Sequence, residues 1–277
     1  DPTLVVKPID SSKFIGGAGI VAAHASGLGS KVNFLSVIGD DEIGKLAKNF
    51  LVDSGVESFL LIDEHRPTPL KQRFRSKGKS LLRVNHLRQS VIDKSQQLEI
   101  FEKLKSIIKD LDLLIFSDFN YGCLPQDLVE KIIVIAKNNN VMTAADSQSS
   151  SQMGDIGRFY DMDLITPTER EARLSLNNYE DGIVMLADHL RRKTNSKNVL
   201  LKLGEEGLIV HSPNDQNWLT DRIGALNDLP RDVAGAGDSL LITSSLVMAC
   251  GGNMWKASLL GSLAAAIQVG RVGNTPL

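Results

Sequence analysis

The chain has 277 residues, 42% of them hydrophobic, with 31 Lys and Arg against 33 Asp and Glu and a formal net charge of −2. That length admits one large α/β domain or two smaller ones, and the near-neutral balance excludes a global pull toward nucleic acid or an anionic membrane, so anion binding must come from local clusters. Two cysteines, Cys123 and Cys250, lie outside any Cys-x-x-Cys pair, and there is no long apolar span or leader pattern, which argues against a zinc ribbon, a disulfide scaffold or a membrane helix and points to a soluble protein of the reducing cytoplasm.

In chain order, Val32 to Ile38 reads as a strand and Asp41 to Ser54 as a helix. Between His65 and Ile92 there is no acidic residue, whereas Arg66, Lys71, Arg73, Arg75, Lys77, Lys79, Arg83 and Arg88 all fall there. Alternation of Lys71, Arg73 and Arg75 places them on one face of a strand. Lys77-Gly78-Lys79 predicts a hairpin turn, with Leu82 to Leu87 returning antiparallel. Two readings of this basic flap stand: a sheet edge protected by charge, or a lid that meets an anionic substrate.

Helices are predicted over Lys94 to Leu111, Gln126 to Asn138, Glu169 to Leu176, Tyr179 to Thr194, Ser239 to Cys250 and Met254 to Val269. Strands are predicted over Leu111 to Phe116, Val141 to Ala145, Leu164 to Thr166, Val199 to Leu203 and Leu208 to His211, and the polar run Ser147 to Gln152 reads as a loop. Strand and helix in alternation imply a mostly parallel sheet with helices on both faces, with ligands at the carboxyl ends of strands. The loops after Phe116, Ala145 and Thr166 are therefore the ones to watch.

The most informative stretch is Asp232-Val233-Ala234-Gly235-Ala236-Gly237-Asp238. Small residues leave the backbone N–H groups of Gly235, Ala236 and Gly237 open at the positive end of the following helix, a corner that binds anions. Asp238 would repel a phosphate there unless it accepted a proton from an attacking hydroxyl. The structural alternative is a helix N-cap, worth about 1 kcal/mol. No Gly-Lys-Ser/Thr follows, so this is not a P-loop.

Gly235 to Asp238 resembles the Gly-Ala-Gly-Asp core of the second signature of the ribokinase-like carbohydrate kinases, with Val233 where Thr is usual. Val5-Val6-Lys7, Gly16-Gly17-Ala18, the flap Pro67 to Arg73 with Leu81 to Val84, Ser117-Asp118-Phe119 with Gly122, Asp146, Thr166-Pro167, Glu171, Gly204 and Gly207 follow in that family's order. Together they resemble the bacterial D-glycero-β-D-manno-heptose-7-phosphate kinases, the kinase part of ADP-heptose synthesis proteins. The resemblance implies a three-layer α/β/α fold over residues 1–277, with a mostly parallel sheet and a small β lid at about 3–14 and 66–88.

It further implies ATP and Mg²⁺ as cofactors, a monovalent cation such as K⁺ behind the loop near Asp232, and a sugar or sugar phosphate as acceptor. By that resemblance Asp238 is the general base, and the amides of Gly235, Ala236 and Gly237 stabilise the transferred phosphoryl group. Gly16 and Gly17 contact the sugar, Lys71, Arg73 and Arg83 its phosphate, and Asp118 and Asp146 line the cleft. Glu171 holds Mg²⁺ through water, while Thr168, Lys202, Gly204, Gly207 and Asn274 flank ATP. Taken singly, each has a plain structural counterpart, such as a turn glycine, a strand-end cap, or a lysine turned to solvent.

The chain departs from the pattern at Ile20 (usually Asn), Asn85 (Asp), Tyr121 (Lys), Ser147 and Gln148 (Pro and Lys) and Thr168 (Asn). These changes leave open a different sugar or nucleoside as acceptor, or a catalytically weak sugar-nucleotide-binding subunit. Family members usually begin with a strand and a Gly-Asp-x-x-x-Asp segment, so about 30 to 40 residues of a full sheet are expected to lie before Asp1. A two-stranded flap is marginal alone, which predicts a homodimer.

Overall fold

The computed structural model describes residues 5–76, 79–149, 153–214 and 217–277. In chain order the elements are α1 (Ala18–Gly27), β1 (Asn33–Ile38), α2 (Glu42–Asp53), β2 (Glu57–Ile62), β3 (Leu70–Ser76), β4 (Lys79–His86), α3 (Lys94–Ile107), β5 (Leu113–Asp118), α4 (Gln126–Asn138) and β6 (Met142–Ser147). They continue with β7 (Leu164–Ile165), α5 (Glu169–Leu176), α6 (Ile183–Thr194), β8 (Asn198–Lys202), β9 (Leu208–Asn214), β10 (Asn217–Ile223), α7 (Ala236–Ala249) and α8 (Met254–Val269).

The central sheet has six strands in the order β10-β9-β8-β7-β6-β5. Its β5 to β8 portion is parallel, and β9 and β10 are added antiparallel. Apolar runs without alternation are what a sheet covered on both faces requires. Val199 and Leu201 of β8 and Ile209 of β9 enter one core with residues of α3, α4 and α6, while Leu200, Leu208 and Val210 enter the other with Leu240 and Leu241 of α7 and Met254 of α8. This is the three-layer arrangement expected from the alternation of elements.

β1 and β2 form a separate parallel pair, in register from Asn33↔Glu57 to Ile38↔Ile62. α1 touches β1, β5 and α7, and so bridges this pair to the main sheet. β3 and β4 form a third, antiparallel pair with a register shift between Phe74 and Arg75. The predicted turn at Lys77 and Gly78 lies outside the described residues, as does the end of the polar loop at 150–152.

Several sequence expectations need correction. Residues 5–14, the described part of the lid strand expected at about 3–14, form no strand and are exposed; Pro8 has no N–H to give a ladder and splits the run. α1, β2 and β10 were not anticipated. α7 begins at Ala236 rather than near Ser239, which moves Ala236, Gly237 and Asp238 into its first turn. α3 ends at Ile107 and passes into a single 3₁₀ turn, Ile108–Asp110.

Candidate active site

A cavity of about 2930 Å³ runs from the α7 N-terminus, under the β3–β4 hairpin, and on between β1 and β5. Small-ligand pockets are usually about 300–1,000 Å³, so this volume exceeds what a substrate needs, and lining it is a weak criterion by itself. All the sequence-predicted site residues line it except Asp146, which is 2% exposed. Individual contacts sort them more sharply.

At the α7 end, Gly235 is the N-cap in the left-handed region, with φ 81°, and a Cβ there would come 2.6 Å from Asn274 Oδ1. Only glycine meets both demands. Asn274 in turn donates to Ile15 O at 3.2 Å, tying the loop to the segment that carries Gly16 and Gly17. Helix geometry leaves the first-turn N–H groups of α7 without carbonyl partners inside the helix. Asp238, in that turn, is 5% exposed and its Oδ1 accepts from Gln148 Nε2 at 2.9 Å. Burial pushes the Asp238 carboxyl up to about 7, Asp146 adds to this, and Lys202, Lys71 and the Gln148 amide pull it back.

Behind Asp238 lies a buried acid and its counterion. Lys202 Nζ is 3.1 Å from both oxygens of Asp146. Burial raises the Asp146 carboxyl to about 6, Lys202 opposing and Glu171 reinforcing the rise. For Lys202, burial disfavours the charge but Asp146 and Glu171 outweigh it, so its pKa is raised. The bidentate geometry, an Asp146 carboxyl that still titrates below 7 and an ammonium whose pKa is raised leave the pair charged at neutral pH.

Thr168 and Glu171 form a capping box on α5: Thr168 Oγ1 accepts from Glu171 N at 3.2 Å, and Glu171 Oε2 accepts from Thr168 N at 2.7 Å. Glu171 Oε1 also accepts from Ser149 N at 2.8 Å, linking α5 to the loop after β6. The Thr-x-x-Glu spacing was a legible cue for this. Each carboxylate oxygen has two acceptor sites, so Glu171 retains one on each for water of a hydrated Mg²⁺, an oxygen donor of the kind that ion takes. Among the described residues no cluster of three or more His, Cys, Asp and Glu forms a ready metal cage.

Around Gly17 and Lys71 the cavity is built on aromatic rings. Lys71 Nζ stands 5.4 Å from the ring centroids of both Phe119 and Tyr121, and a Cβ on Gly17 would sit 3.6 Å from the Phe119 ring. Arg73 and Arg83 face each other in register across β3 and β4. Arg75 pairs with Asp232 at 3.0 Å and so fastens the hairpin to the loop before α7. Asp118 is occupied with its own loop, accepting from Asn120 N at 2.9 Å and Ser147 Oγ at 3.0 Å, with Arg158 at 3.6 Å. Gly204 and Gly207 bracket the 3₁₀ turn between β8 and β9. Sequence reading missed the contacts of Gln148, Phe119, Tyr121 and Arg75; only the alternation of charge around Arg75 hinted at one of them.

Residues 2–276 match the pfkB family of carbohydrate kinases. The chain belongs to that family. As a carbohydrate kinase it is an ATP-dependent phosphotransferase with an alcohol group as acceptor. It is 30% identical over 277 residues to the bifunctional protein HldE of Campylobacter fetus and 27% identical over 278 residues to that of Nitratiruptor, covering 99% and 98% of this chain. This kinase chain spans only 58% and 57% of those relatives' lengths. Its fold is similar to phosphofructokinase-2 from Escherichia coli in complex with fructose-6-phosphate (TM-score 0.74, 17% identity, 94% of this chain and 83% of that one). It is likewise similar to ribokinase from Giardia lamblia (TM-score 0.74, 16% identity, 93% and 84%). No helix among the described residues is long and apolar enough to cross a membrane.

Proposed function

We infer that this kinase phosphorylates a sugar that already carries a phosphate, with the anomeric hydroxyl of heptose 7-phosphate as the leading acceptor. One juxtaposition carries the reading: the ion pair of Arg75 with Asp232 holds the hairpin bearing Lys71, Arg73 and Arg83 against the loop that leads into the buried carboxyl in the first turn of α7. The carboxyl is a base for a hydroxyl and the hairpin a counter-charge for a phosphate. The HldE relatives support the heptose assignment.

In this scheme the acceptor oxygen attacks the γ-phosphorus of ATP as Asp238 takes its proton. The new O–P bond forms, the bond to the β,γ-bridging oxygen breaks, and ADP leaves. The N–H groups of Gly235, Ala236 and Gly237 offset charge on the transferring group. Mg²⁺, held through water by Glu171, supplies charge neutralisation on the ATP phosphates when bound. Thr168, Lys202, Gly204, Gly207 and Asn274 border the nucleotide side, and Gly16, Gly17 and Asp118 the sugar side, with Asp146 acting from behind through Lys202. Closure of the hairpin excludes water from ATP.

For K⁺, the buried oxygens Asn274 Oδ1 and Gln268 Oε1, which have no hydrogen-bond partner, are donors beside the α7 loop. A cytoplasmic homodimer paired through the hairpin completes the proposal. A second reading, a different sugar phosphate, draws on Tyr121, which gives Lys71 an aromatic face where the heptose kinases carry a further cation. ADP release on a panel of sugars and their phosphates tests both. Turnover with phosphorylated sugars and little with their parents is expected, heptose 7-phosphate first. Preference for unphosphorylated sugars would overturn the lid assignment, and binding without any turnover would favour a catalytically weak sugar-nucleotide-binding subunit.

A further inference from the structure

Lys202 closes β8 at the meeting point of three parts of the site. Its backbone N–H donates to Pro167 O at 2.8 Å, and it forms a parallel bridge with Thr168. Its side chain is 13% exposed and ends 3.1 Å from Asp146, itself 2% exposed. A Cβ built on Gly237 would meet Lys202 Nζ at 3.1 Å, with its Cδ and Cε at 3.7 and 3.8 Å.

That last contact explains a glycine that the backbone does not require. Gly237 lies inside the first turn of α7 and is absent from the residues with positive φ. Glycine is a poor residue for a helix interior, so what its missing side chain provides here is room for an ammonium. The carboxylates that act on this ammonium come from three elements: Asp146 of β6, Glu171 of α5 and Asp238 of α7. One lysine therefore sits among three acids and against the turn whose N–H groups meet the transferred group.

We propose that Lys202 is a catalytic cation of the phosphoryl transfer: its ammonium, seated against Gly237 and held by Asp146, contacts a non-bridging oxygen of the phosphoryl group in flight. This rests on the kinase reading above and gives Lys202 a role on the γ-phosphoryl rather than at the border of the nucleotide. Lys202 keeps its proton throughout. The proton lost by the acceptor goes to Asp238, and the leaving oxygen departs on ADP. The positive charge matters because the transition state spreads negative charge over the peripheral oxygens in a site already crowded with carboxylates. The competing role is structural, with Lys202 serving only to neutralise Asp146.

The test compares Asp146→Asn with the double variant Lys202→Met/Asp146→Asn, so that position 146 carries no unpaired buried carboxylate in either. The double variant is expected to turn over at least ~30-fold more slowly than Asp146→Asn at saturating substrates, with KM for ATP within about threefold. Calorimetry with Mg²⁺, ADP and aluminium fluoride, a mimic of the phosphoryl group in flight, should show affinity at least ~10-fold weaker, while ADP alone binds within about twofold. Equal turnover and equal affinity in the two variants would overturn the proposal and leave the structural role. If the wild type binds the mimic but phosphorylates no sugar phosphate, the acceptor reading fails while the calorimetric comparison still decides Lys202. Should the double variant not fold, Gly237→Ala crowds the ammonium without removing a charge; it must weaken mimic binding more than ADP binding, or the proposal falls.

Discussion

In the proposed mechanism Asp238 takes the acceptor's proton, and its environment sets the range in which it can do so. A carboxyl pushed up to about 7 by burial is half ionised near neutral pH, which is where a general base works best. Turnover should therefore rise with pH along a limb centred near 7, and Asp238→Asn should lower it at least ~100-fold while ATP affinity stays within about threefold. A flat profile between pH 5.5 and 8.5, or a mutant of comparable speed, would remove Asp238 from the role. The same shift bears on stability. With a native pKa of about 7 against 3.8 unfolded, the native state binds the extra proton, so its contribution is full below about pH 4 and is lost as pH rises through 7. Asp238→Asn escapes that loss, and by urea denaturation it should gain on the wild type from pH 4 to pH 8, by up to about 4 kcal/mol. A difference independent of pH would contradict the burial argument.

At the level of elements, α7 and the β3–β4 hairpin do separate work. α7 starts early because Gly235 takes the left-handed cap, and that places the N–H groups, the base and the room for Lys202 within a single turn. The hairpin brings cations from a strand pair with no third strand to hold it among the described residues, and Arg75 with Asp232 joins it to the α7 loop. Arg73 and Arg83 stand opposite each other in register and both border the cavity, so an anionic group bound there would meet two guanidinium groups. Arg73→Ala is thus expected to raise KM for a sugar phosphate about tenfold or more, in line with loss of a charge-assisted hydrogen bond worth about 1.5–3 kcal/mol, and to leave KM for ATP nearly unchanged. An equal rise for both substrates would mean that the hairpin is structural.

On the scale of the whole molecule, the two cores on either face of the sheet keep these elements in place. Leu200, fully buried in the strand between β7 and β9, should cost about 2–5 kcal/mol when cut to alanine; a loss below about 1 kcal/mol in urea would show that the face by α7 is loosely packed. What the residues alone determined was local and periodic: the β5 to β9 and α2 to α8 runs, the glycine-rich turn at Gly235 to Asp238, the hairpin with its alternating cations, and through their order the family. These follow from spacing and backbone chemistry, which neighbours in sequence carry. β10 escaped because Asn217, Thr220, Asp221 and Arg222 make it polar, and α1 because its small apolar residues are buried nearly all round and show no amphipathic stripe, whereas β2 carries an apolar run as readable as that of β5. Only the tertiary structure decided which groups meet across long separations: Lys202 with Asp146, Gln148 with Asp238, Arg75 with Asp232, and Lys71 with Phe119 and Tyr121. A burial shift such as that of Asp238 likewise depends on what the rest of the chain packs around a group, and no pattern in the sequence encodes it directly.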